Sequence, residues 1–122
     1  MPRFALTATV LDTPDPQGLA RFYQRLLGWP LGTDDPEWVT LRPEDGSAGL
    51  SFQLEEDHVR PVWPATGGDP RMQLHLDIEV DDLAAAVDVA VAAGATVADF
   101  QPQDDVRVCL DPAGHPFCLF AA

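Results

Sequence analysis

From Met72 to Val80 the chain alternates strictly, with Met72, Leu74, Leu76, Ile78 and Val80 on one parity and Gln73, His75, Asp77 and Glu79 on the other. That period predicts a β-strand over 72–80 with one apolar and one polar face. The apolar face belongs on a core, and the polar face carries an imidazole, two carboxylates and an amide. Upstream, Phe4–Leu11 is rich enough in Thr, Val and Phe to predict a first strand, stopped by Asp12-Thr13-Pro14. Asp15 followed by Pro16 is then a helix N-cap with proline at the first helical position. Leu19, Phe22, Tyr23, Leu26 and Leu27 recur along one helical stripe, and Gly28 falls where a left-handed C-cap belongs.

After that helix, Trp29–Gly32 and Trp38–Arg42 read as short strands around a Thr33–Pro36 turn. Pro43–Gly46 reads as a hairpin turn and Gly49–Leu54 as the next strand. The segment Glu55–Arg71 is polar, rich in Pro and Gly and without periodicity, so a long loop is expected there. The plan then repeats. The strand Met72–Val80 is followed by a helix capped by Asp81 or Asp82, carrying Leu83, Val87, Ala90 and Val91 and ended by Gly94. Strands are predicted at Ala95–Phe100 and Val106–Leu110, a turn at Asp111–Gly114, and a last strand at His115–Phe120. The reading is therefore an α+β protein of two βαβββ modules, about 1–56 and 72–122, forming one domain and joined by a loop over 57–71.

Composition narrows the function classes. Asp and Glu number 20 against 7 Lys and Arg, a net charge of −13. Such a chain has no basic surface with which to neutralise phosphates, which argues against nucleic acid and anionic membranes as partners. No apolar run approaches the length of a membrane span, and the sequence from Met1 enters strand-like residues without an apolar leader. With two cysteines and no disulfide pattern, a cytoplasmic protein with reduced thiols is expected.

The pieces Asp15-Pro16, Phe22-Tyr23 and Leu26-Leu27-Gly28-Trp29 make the first half resemble the vicinal oxygen chelate superfamily. The second half does so through His75-Leu76-Asp77, Val80-Asp81-Asp82-Leu83, Gly94-Ala95 and Asp111-Pro112-Ala113-Gly114 with Phe117. That superfamily includes glyoxalase I, extradiol dioxygenases and the fosfomycin- and bleomycin-resistance proteins, and the chain is most similar to its small glyoxalase-like domains. The resemblance implies a cup of eight strands, a homodimer, and in the metal-dependent members a divalent cation held by four strand positions. Those positions match Ala8, Gln53, His75 and Cys118. Ala8 offers no donor atom, so no cofactor is expected, with Gln53, His75 and Cys118 as the weak candidates for a divalent metal. A zinc-like cation using His75 and Cys118, completed by Asp77 or water, is the alternative.

Two readings from different classes follow. The first is a metal-free binding protein for a small organic molecule, resistance-type sequestration being one form of it, with Trp38, Gln53, Trp63, Gln73, His75, Asp77 and Cys118 as ligand-facing residues. Aromatic faces beside carboxylates suit flat or cationic ligands. The second is a lyase, isomerase or dioxygenase with an unusual metal site or with His75 as general base. Phe52 and Phe117 fall on the parity opposite Gln53 and Cys118 and are assigned to the helix-facing core. A hairpin closed by Asp111–Gly114 places Cys118 about opposite Arg107, whose guanidinium would favour a thiolate; the plainer reading is a small buried hydrophobe. Cys109 and Cys118 share parity but are staggered, so no disulfide is expected. His115, between the Asp111–Gly114 turn and Pro116, reads as a surface histidine, and His58 falls in the central loop with no partner visible in the sequence.

Overall fold

The computed structural model describes residues 2–121. In chain order its elements are β1 (Ala8–Thr13), α1 (Pro16–Leu27), β2 (Leu31–Asp35), β3 (Trp38–Leu41), β4 (Gly49–Leu54), β5 (Leu76–Val80), α2 (Leu83–Ala93), β6 (Thr96–Val97), β7 (Val106–Leu110) and β8 (Pro116–Ala121). The βαβββ order occurs twice, giving an α+β protein with two four-stranded mixed sheets, ordered β1-β4-β3-β2 and β5-β8-β7-β6. Contacts divide the chain into two compact units, Met1–His58 and Val59–Ala122.

In the first unit α1 forms where its caps predict. The Asp15 carboxylate accepts the Gly18 N–H at 3.0 Å, Pro16 opens the first turn, and Gly28 closes the helix at φ 71°. Its buried stripe of Leu19, Phe22 and Tyr23 meets the sheet, where Tyr23 stacks on Phe52 with ring centroids 5.9 Å apart. Val39, Leu41, Leu50 and Phe52 complete this core. The first strand departs from the expected Phe4–Leu11. It begins at Ala8 and runs on through Asp12 and Thr13, pairing in parallel with β4 from Ala8↔Gly49 to Thr13↔Leu54. β4 begins at Gly49, whose N–H donates to the Thr7 carbonyl at 2.9 Å, so residues before Thr7 have no strand to pair with, and Phe4 is left 91% exposed. Only glycine fits at position 49, because a Cβ there would meet the Leu41 carbonyl. The Thr33–Pro36 turn is also displaced: β2 continues to Asp35 and the chain reverses at Pro36-Glu37.

In the second unit the long alternating strand is cut to Leu76–Val80. Its ladder starts at Leu76↔Phe117. The preceding residue of β8 is Pro116, which has no N–H to extend the pairing to His75. Leu74 consequently lies off the sheet and is 47% exposed, so the apolar parity of 72–80 is not a continuous core face. α2 starts at Asp82, whose carboxylate accepts the Ala85 N–H at 3.1 Å, and packs on β6, β7 and β8. The expected strand Ala95–Phe100 shrinks to Thr96–Val97. The Gln101 amide replaces its continuation, donating to the Ala98 and Val108 carbonyls at 2.8 and 3.0 Å and accepting the Val108 N–H at 2.9 Å.

The start of the long loop is tied into the second unit. Arg60 Nη1 donates to the Pro112 carbonyl at 2.7 Å, and the Trp63 ring lies 5.8 Å from that of Phe100. Trp63 thus packs on an aromatic partner, as a loop of that composition requires.

Candidate functional site

Each unit turns a row of polar side chains to the sheet face opposite its buried aromatic residue. In the first unit the row is set by register. Gln53 pairs with Asp12 of β1 on one side and with Trp38 of β3 on the other, so the three share a face. Their neighbours Leu11, Phe52 and Val39 are buried on the other face, as strand alternation demands. Next to this row lies a concavity of about 470 Å³ lined by Glu37, Gln53, Leu54, Glu55, Glu56 and Asp57. None of its lining residues is basic. The volume falls within the roughly 300–1,000 Å³ usual for small-ligand sites.

In the second unit Asp77 pairs with Cys118, and Cys118 with Val108. His75, two residues before Asp77, brings its Nε2 to 3.1 Å from the Asp77 Oδ1. One donor atom from each of His75, Asp77 and Cys118 lies within 4.8 Å of the other two. The His75 and Asp77 side chains are 39% and 62% exposed, whereas Cys118 is half-buried beside the buried Val108.

The expected Arg107–Cys118 neighbourhood does not form. The Asp111 N–H donates to the His115 carbonyl at 2.9 Å, so the connection is Pro112-Ala113-Gly114 and the hairpin register moves by one. Arg107 stands opposite Leu119, and its Nη1 donates to the carbonyls of Gln103, Asp104 and Val106. The thiol accordingly moves the other way from an activated nucleophile. Burial, then the Asp77 charge and a hydrogen bond to the Asp77 carboxylate, all raise the Cys118 pKa. Cys109 pairs with Phe117, so it occupies the face opposite Cys118 rather than sharing its parity, and both thiols are free. Burial, followed by the nearby Cys118, pushes the Cys109 pKa up to about 11.

Of the residues assigned from sequence, Trp38 and Gln53 are brought together in the first unit, and His75, Asp77 and Cys118 in the second. Gln73 is exposed in the irregular segment before β5, and Trp63 packs on Phe100 within the second unit. Asp12, Glu37 and the Glu55–Asp57 run escaped the sequence reading. The sequence puts Asp12 in the stop after the first strand, but with the strand extended to Thr13 its parity with Ala8 and Val10 places it on their face.

A sequence profile of the glyoxalase-like domain family matches residues 8–120, and the chain belongs to that family. No curated protein matches significantly in sequence. Among solved structures, a glyoxalase/bleomycin resistance protein/dioxygenase family enzyme from Burkholderia phytofirmans PsJN aligns at TM-score 0.71 and 22% identity, over 97% of this chain and 98% of its own. The bleomycin-binding protein of Streptomyces verticillus, complexed with copper(II)-bleomycin, aligns at 0.60 and 20% identity over 100% and 99% of the two chains. Lactoylglutathione lyase from Agrobacterium tumefaciens aligns at 0.62 and 17% over 100% and 96%. At these identities the likeness is one of fold.

Metal-dependent members of the superfamily hold their cation on four strand positions, and this chain's residues do not fit that set. Ala8 presents a methyl group on the face that carries Asp12, and Gln53 contributes a neutral amide. A hard cation needs more anionic oxygen than these positions supply. Among the described residues no helix is long and apolar enough to cross a membrane.

Proposed function

We propose that this glyoxalase-like protein binds a small organic cation with a flat apolar part, and that it does so without the superfamily's metal. The observation that carries the reading is the row Asp12–Gln53–Trp38 beside a concavity lined by Glu37, Glu55, Glu56 and Asp57. The indole supplies a face for stacking and cation–π contact, worth about 0.5–2 kcal/mol. The amide fixes orientation, and the carboxylates favour positive charge. An overall charge of −13 steers cations toward the protein in the same sense. The bleomycin-binding relative supports a sequestering role, since its fold serves small-molecule binding. The family resemblance adds a homodimer, which light scattering at micromolar concentration tests directly.

The test is a titration of the free protein with a flat aromatic cation, its neutral isostere and an anionic analogue, followed by tryptophan fluorescence and calorimetry. The cation binds at least tenfold more tightly than the isostere, and Trp38→Phe or Gln53→Ala weakens it severalfold. Equal affinity for all three compounds, or no binding of the cation, contradicts the reading.

One observation favours catalysis instead. The 3.1 Å pair between His75 Nε2 and Asp77 Oδ1 orients an imidazole as a general base is oriented, which suits a lyase or isomerase. On that reading His75→Ala abolishes turnover and leaves organic-cation binding in the first unit intact.

A further inference from the structure

We propose that the segment ahead of β1 is an interaction arm, and that Arg3 and Phe4 of one copy of the chain occupy the acidic concavity of a second copy, reciprocally. This assignment rests on the reading of that concavity as a site for a cation with a flat apolar part, and it gives the same site a partner.

Two features of the first unit complement each other. Phe4 and Leu6 are 91% and 78% exposed, and among the described residues no strand pairs with the chain before Thr7. From Pro2 to Leu11 the only charged side chain is that of Arg3, in a protein of net charge −13. Arg3 beside Phe4 therefore presents a guanidinium next to an aromatic ring. The concavity offers the opposite chemistry. Its carboxylates come from Glu37, Glu55, Glu56 and Asp57, with Leu54 as an apolar patch and the Trp38 indole in the adjoining row. Glu55 is held in place there, its Oε1 accepting the Asp57 N–H at 3.0 Å. Arginine meets carboxylates with two parallel hydrogen bonds, and a phenyl ring stacks on an indole face.

Chain length decides that the occupant is a second copy. The Thr7 carbonyl is fixed to the Gly49 N–H, and β1 then runs parallel to β4 until Thr13 stands beside Leu54. The arm and the concavity thus lie at opposite ends of the ladder, six residues or roughly 20 Å apart. Three residues from Thr7 back to Phe4 extend at most about 11 Å, so the ring cannot reach the concavity of its own copy. A partner related by a twofold axis receives the arm and returns its own, which closes the pair without leaving a free arm. The rest of the surface opposes association, because two copies each of charge −13 repel. The arm is where that repulsion turns into attraction. A small cation binds only the open concavity, so its binding and dimerisation oppose each other by mass action.

The test follows the assembly of the whole chain by sedimentation velocity, with benzamidine as the probe cation. The parent chain is a dimer at micromolar concentration, and Arg3→Glu with Phe4→Ser weakens it at least tenfold. Both arm positions are exposed, so this variant keeps the fold. Trp38→Ala weakens the dimer from the receiving side, and Glu56→Arg, at an exposed position, does so without touching the core. Mixing the arm variant with Trp38→Ala restores one of the two contacts, and a heterodimer forms at concentrations where neither variant associates alone. Excess benzamidine dissociates the parent dimer and binds the arm variant at least threefold more tightly than the parent. A monomeric parent, a dimer indifferent to the arm variant, or a mixture that does not associate overturns the proposal. Benzamidine that binds such a monomeric parent leaves the cation site standing while the arm falls, whereas benzamidine that binds no form of the chain removes both.

Discussion

Replacing Asp111 by alanine tests how the second unit's polar face is held in place. This carboxylate is 1% exposed, and its Oδ1 accepts the N–H groups of Ala113 and His115, each at 2.9 Å. Those bonds, with the Asp111 N–H to the His115 carbonyl, define the three-residue connection that pairs Val108 with Cys118. Alanine leaves both donors without their acceptor. The Ala113 N–H is buried, and stranding such a donor costs about 1–3 kcal/mol; the half-exposed His115 N–H regains water and costs about 0.5–1.5 kcal/mol. The sum is a loss of about 1.5–4.5 kcal/mol, or a drop of roughly 1–3 M in the urea midpoint at an m-value of about 1.5 kcal/mol/M. Asparagine keeps an oxygen acceptor at the same place and loses less than half as much. Equilibrium unfolding in urea, followed by tryptophan fluorescence, measures both variants. A midpoint for Asp111→Ala within about 0.3 M of the parent refutes the claim that this side chain holds the turn.

Three further outcomes follow from the same structure. Gly114→Ala places a Cβ at φ +90° and 3.1 Å from the Arg60 side chain, so it lowers stability by about 1–3 kcal/mol in the same urea assay. Asp15→Ala removes the α1 cap and costs about 1 kcal/mol, whereas Asp15→Asn recovers most of it. Cys109 is raised from 9.0 to about 11 in the folded chain, so the unfolded thiol loses its proton first as pH rises. Its contribution is complete below about pH 9 and is lost as pH rises toward 11, and Cys109→Ala flattens that stretch of the stability–pH curve.

The elements legible in the sequence are those whose signals are local. The caps Asp15, Gly28 and Gly94 and the strands Gly49–Leu54 and Val106–Leu110 lie where their own residues put them, and of the two candidates Asp81 and Asp82 it is Asp82 that caps α2. What was displaced depended on a partner strand. Phe4–Leu6 has strand composition but no strand to pair with, and Met72–His75 alternates correctly yet meets a proline across the ladder. The register of the last hairpin turned on one backbone bond, Asp111 to His115, and that single step moved Arg107 away from Cys118 and left Asp77 as its charged neighbour. The first unit's polar row was hidden for the same reason, since only the parallel pairing reveals Asp12 beside Gln53.

The central claim is that recognition of an organic cation by the first unit needs no metal. Calorimetric titration of a flat aromatic cation into chelator-stripped protein, with and without added Zn²⁺, tests it most directly. The account predicts the same Kd within about twofold in both conditions, with the loss of affinity confined to Trp38 and Gln53 variants. Binding that vanishes on stripping and returns with a divalent cation contradicts it.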